Sequence, residues 1–105
     1  MIKVSVFYPR VDGARFDFGY YADTHARLVQ RLLGGALQRI EVDRGVSGSA
    51  PTDAPRHVAV MHLYFQSLEA FRSSFAPNAA ALRADMPNYT DLKPETQISE
   101  VFVLS

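Results

Sequence analysis

The nine residues from His57 to Phe65 constrain this chain more than any other stretch, because they are apolar on both alternating faces. Successive side chains of a strand point to opposite sides, so a run like this fits a central strand covered on both faces. Such a strand needs neighbours, and the flanking sequence supplies three. Ile2, Val4, Val6 and Tyr8 alternate with Lys3, Ser5 and Phe7, giving a strand that Pro9 ends before the turn residues Asp12-Gly13. Leu37 to Val46 alternates as well, but Arg39, Glu41 and Asp43 make one of its faces polar, which suits a sheet edge. Thr96 to Leu104 reads as the last strand, with Ile98, Phe102 and Leu104 against Val101 and Val103.

Two helical patterns separate these strands. Asp17 is placed to cap the first, and Phe16 with Tyr21 to staple its start. Phe18, Tyr21, His25, Leu28 and Leu32 recur at steps of three and four, widened by Ala22, Val29 and Leu33. Asp23, Arg27, Gln30 and Arg31 fall on the wet side, and Gly34-Gly35 stops the helix. Ser67 caps the second pattern, where Leu68, Phe71 and Phe75 form a stripe that Ala79, Leu82 and Met86 continue beyond Pro77. That predicts two short helices or one kinked helix. Gly48 to Pro55 reads as a loop and Asn88 to Pro94 as a connection.

The resulting order β-α-β-β-α-β predicts an α+β, ferredoxin-like fold, with a four-stranded antiparallel sheet and both helices on one face. At 105 residues the expectation is a single domain spanning 1–105. The first, third and last strands also carry apolar residues away from the helices, and the chain has nothing left to cover them. A homodimer joined through that face is therefore expected.

Composition narrows the function. Eleven basic side chains balance eleven acidic ones with no basic run, which argues against nucleic acid or an anionic membrane as partner. The absence of cysteine removes thiol nucleophiles, thiolate-bound metals and disulfides, and fits a reducing compartment. No secretory leader is read at Met1 to Ser5, and no apolar run approaches the roughly 20 residues of a membrane span. A cytoplasmic location is expected. His57 and His62, five apart on one strand, are read as pointing to opposite faces, so no metal site is expected. No phosphate loop or dinucleotide fingerprint is present, so no cofactor is expected.

The candidate site centres on His25, which lies inside an apolar stripe with Tyr21 one turn before it. A histidine in a partly dry pocket can exchange protons near neutral pH; the blander reading is a core histidine tied to a backbone carbonyl. His62 and Tyr64 share one face of the central strand and need polar partners, either a ligand pocket between helix and sheet or a purely structural network. Asp17 is first a helix cap, with a second reading as the group that orients His25 or a substrate hydroxyl. Phe18 and the other aromatic residues are core, or the lining of a flat apolar ligand's pocket.

The segments Phe16-Asp17-Phe18-Gly19-Tyr20-Tyr21, Thr24-His25 and Leu28-Val29 resemble the F-D-x-x-Y-Y-x-x-x-H-x-P-L signature of the EthD family. His62 to Phe71, Asp85 to Asp91 and Gln97 to Val101 are similar to its later blocks, although Arg27 stands where the family usually has proline. The resemblance implies a dimeric α/β barrel, with monooxygenases, polyketide cyclases, isomerases and dehydratases among the wider relatives. It strengthens the functional reading of His25. The expectation is a cofactor-free acid–base enzyme acting on a small apolar or aromatic molecule, with His25 and Tyr21 catalytic and Asp17, Phe18, His62 and Tyr64 contacting substrate. The alternative is a non-catalytic protein that binds or carries a pathway product.

Overall fold

A computed structural model describes all 105 residues. Four strands, β1 (Ile2–Pro9), β2 (Arg39–Arg44), β3 (His57–Phe65) and β4 (Glu95–Glu100), form one sheet in the order β2-β3-β1-β4. Every neighbouring pair is antiparallel, and β1 and β3 are central. Between the strands run α1 (Phe18–Tyr20), a π-helical turn (Tyr21–His25) and α2 (Ala26–Leu33), then α3 (Leu68–Phe75) and α4 (Ala79–Asp85). This is the expected α+β, ferredoxin-like fold.

Local chemistry sets the boundaries. The Asp17 carboxylate accepts from the Tyr20 amide, and the Ser67 hydroxyl accepts from the Ala70 amide, so both helical regions start on their expected caps. Gly34 ends α2 at φ 59°, a left-handed conformation that glycine adopts without steric cost. The kink between α3 and α4 falls at Pro77, where Asn78 Nδ2 donates to the Leu32 and Ser74 carbonyls and ties the two helical regions together.

The first helix is not regular. Its π-helical turn inserts extra residues between two α segments, and the buried side chains become Tyr21, His25, Ala26, Val29 and Leu33. Leu28 and Leu32 are only half-buried, and Ala22 is exposed rather than part of the stripe. Such turns carry a side chain out of the usual phase and are frequent at functional sites.

Register decides which sheet face the helices cover. Ile2, Val4, Val6 and Tyr8 pair with Phe65, Leu63, Met61 and Ala59, and the buried core forms on that side. The opposite, open face carries Lys3, Ser5 and Phe7 from β1, Val58, Val60, His62 and Tyr64 from β3, and polar side chains from both edges. It is more polar than expected. The last strand ends at Glu100, opposite Ile2, the first residue of β1. Val101 donates its amide to the Met1 carbonyl, and Phe102, Val103 and Leu104 leave the sheet exposed.

Candidate functional site

The π-helical turn delivers Tyr21 and His25 to the inner side of the sheet, with their rings stacked at 5.8 Å and 14°. His25 is 6% exposed and Tyr21 1%. Both line a cavity of about 260 Å³ between the helices and the sheet, whose apolar wall includes Val6, Val29, Met61, Leu63 and Leu82. That placement matches the one read from spacing.

Two residues that no spacing rule picked out complete the constellation. Asp85, at the end of α4, accepts at 2.8 Å from His25 Nδ1. Its Oδ1 also accepts from the Tyr20 hydroxyl at 2.7 Å and the Asn88 amide at 3.0 Å. Tyr89 is fully buried, with its ring 4.6 Å from that of His25. Its hydroxyl lies 3.4 Å from His25 Nε2 and 2.7 Å from the Tyr8 hydroxyl. Asp85, His25, Tyr89 and Tyr8 therefore form one continuous polar chain, most of it inside an apolar wall.

The geometry sets the roles each group can take. A carboxylate on Nδ1 fixes the imidazole with its proton on that nitrogen, leaving the Nε2 lone pair on the cavity side. At 3.4 Å the Tyr89 hydroxyl is a long contact for Nε2, which a shorter one from a ligand could replace. Burial pushes the Asp85 carboxyl upward, but hydrogen bonds from Tyr20, His25 and Asn88 outweigh it and hold the group below the usual carboxylate range. Burial drives the Tyr8, Tyr21 and Tyr89 phenols upward, so all three remain hydrogen-bond donors. The Tyr21 hydroxyl is buried with no protein partner. A buried hydroxyl left unpaired costs roughly 1–3 kcal/mol.

The other expected site residues lie elsewhere. His62 and Tyr64 are on the open face, not in the helix–sheet cavity, because their neighbours Met61, Leu63 and Phe65 take the inward positions. There they form the structural network: Ser5 Oγ lies 2.8 Å from His62 Nδ1, His62 Nε2 3.2 Å from Asp43, and Tyr64 donates to Glu41 at 2.7 Å. Lys3 and Arg39 sit over the Tyr64 ring. The His57 ring packs against Phe7 at the register shift by Pro9, on the open-face side and not opposite His62. Asp17 is an exposed cap and does not touch His25; Asp85 does the orienting. Phe18 packs against Phe16, Tyr21 and Arg44 outside the cavity. No three histidine, aspartate or glutamate side chains assemble as a metal ion would require.

Residues 12–93 match the EthD domain family. An EthD-like protein from Ralstonia eutropha has a similar structure, with a TM-score of 0.93 and 42% identity, over 97% of this chain and 92% of that one. An EthD family protein from Bacillus halodurans aligns with a TM-score of 0.73 at 19% identity, over 97% of this chain and 99% of the other. SnoaB from Streptomyces nogalater, a cofactor-independent oxygenase, shares the fold with a TM-score of 0.57 at 15% identity, over 98% and 93%. No curated protein sequence matches.

Proposed function

The chain belongs to the EthD domain family, and from that premise we propose that it is an acid–base enzyme that moves a proton next to a carbonyl of a small apolar molecule. One observation carries this reading: the Asp85–His25–Tyr89 chain ends in an apolar cavity beside a buried phenol without a partner. In the proposed step His25 Nε2 takes the proton from a carbon adjacent to the carbonyl. The electron pair moves onto the carbonyl oxygen, where Tyr21 or Tyr89 donates a hydrogen bond to the enolate. The resulting imidazolium is held against Asp85, as an oriented histidine requires. Return of the proton to another carbon is isomerisation; loss of a hydroxyl with that proton, as water, is dehydration; attack of the enolate on a second carbonyl is cyclisation. Side chains alone supply this chemistry. SnoaB, a cofactor-independent oxygenase on the same fold, is an analogy that supports it.

The open sheet face supports a second part of the proposal, a homodimer. Phe7, Val58 and Val60 lie on it only half-buried, and Phe102 and Val103 beyond β4 are 86% and 83% exposed. A second copy presenting the same face would cover them.

The test of the enzymatic reading is deuterium wash-in, followed by proton NMR in heavy water, at the carbon next to the carbonyl of small aryl ketones and cyclic diketones. The expected result is catalysed exchange that His25→Gln lowers by about 10²–10⁴-fold while probe binding is kept. Binding without exchange in the unaltered protein would mark a carrier rather than an enzyme.

A further inference from the structure

One wall of the cavity carries a charge where its pattern calls for an apolar side chain. Ala79, Leu82, Arg83 and Met86 all line the cavity, and their spacing is that of a single helical stripe. Arg83 occupies the third of these positions. None of the five ion pairs of the molecule includes it, and its side chain makes no hydrogen bond to protein. The residue lines the cavity yet is exposed, a combination that lets an arginine lay its apolar stem along a wall while its guanidinium stays in water. Tyr21 also lines the cavity; its ring stacks on that of His25, and its hydroxyl is buried and unpaired. The lining therefore combines an unpaired guanidinium, an apolar body and a phenol whose hydroxyl has no protein partner.

We propose that the site takes a compact ring-bearing carboxylic acid, with its carboxylate on Arg83 and a carbonyl or hydroxyl oxygen on Tyr21. The assignment rests on the reading that this cavity is a ligand site, and it adds the class of ligand. A guanidinium meets a carboxylate with two parallel hydrogen bonds, which a neutral ester cannot reproduce. The volume of about 260 Å³ suits one substituted ring rather than a fused system.

The test is isothermal titration with two probes, 2-acetylbenzoate and its methyl ester, on three proteins: unaltered, Arg83→Gln and Arg83→Lys. In the unaltered protein the acid binds at least about tenfold more tightly than the ester. Arg83→Gln abolishes that preference, and Arg83→Lys restores part of it. Equal affinity for acid and ester, a preference that survives Arg83→Gln, or no binding of either probe at millimolar concentration overturns the assignment. Because the readout is binding, failure of proton transfer at His25 would leave this result standing and is seen separately in the exchange experiment.

Discussion

At the scale of single residues, the site rests on polar groups whose partners are unequal. Asp85 has three donors and is held below the ordinary carboxylate range. A carboxyl depressed in the folded state adds stability that is complete above its unfolded value, near 3.9, and is lost as pH falls through the folded value. Melting followed from about pH 7 down to about pH 3 should therefore fall more steeply for the unaltered protein than for Asp85→Asn; parallel curves would show that the carboxylate contributes nothing. Tyr21 is the opposite case, a buried hydroxyl with no partner. Tyr21→Phe should leave the melting temperature equal or higher, because it removes an unpaired group. A drop of several degrees would mean that the hydroxyl has a partner in the free protein. His25 and Tyr21 were legible in the sequence because they fall in one helical stripe. Asp85 and Tyr89 were not: they lie 60 and 64 residues from His25, and only the folded chain joins them. A buried histidine needs an acceptor for its N–H, but nothing in the spacing chose Asp85 over Asp17 or a backbone carbonyl.

At the scale of elements, most boundaries follow from caps and breakers. Asp17, Ser67, Gly34 and Pro77 act where their chemistry puts them. Asp17→Ala should cost about 1 kcal/mol in urea denaturation as the loss of a helix cap. It should lower catalysed exchange far less than His25→Gln does; an equal loss would return Asp17 to the catalytic set. The irregular part of the first helix was not legible, because its apolar pattern also fits a regular α-helix, and only burial shows Ala22 outside the stripe and Ala26 inside it. From Val58 to Phe65 alternation gave the two faces of β3 correctly, failing at His57 beside the register shift, but parity alone does not say which face a helix covers. That depends on the pairing of Met61 and Leu63 with Val6 and Val4. For the same reason the apolar residues Val101 and Val103 looked like strand, although the neighbouring strand ends before them.

At the scale of the molecule, the order of elements specified the ferredoxin-like fold, and no helix is long and apolar enough to cross a membrane. The proposed dimer predicts twice the monomer mass in light scattering at micromolar concentration, and melting that rises with protein concentration. A monomer with concentration-independent melting would leave the open face to be closed some other way. Its burial should exceed about 1,000 Å² in total, and the polar network of Ser5, His62, Asp43, Glu41 and Tyr64 would then lie against its own copy. The functional claim, however, depends on the inner side of the sheet, where a carboxylate fixes one imidazole nitrogen so that the other faces the cavity as a base. The most direct measurement is nitrogen-15 NMR of the His25 side chain across a pH series that includes its neutral form. The account predicts that the neutral ring carries its proton on Nδ1 with Nε2 bare, and that Asp85→Asn disturbs this. A neutral ring protonated on Nε2 would contradict it, since the atom facing the cavity could then take no proton.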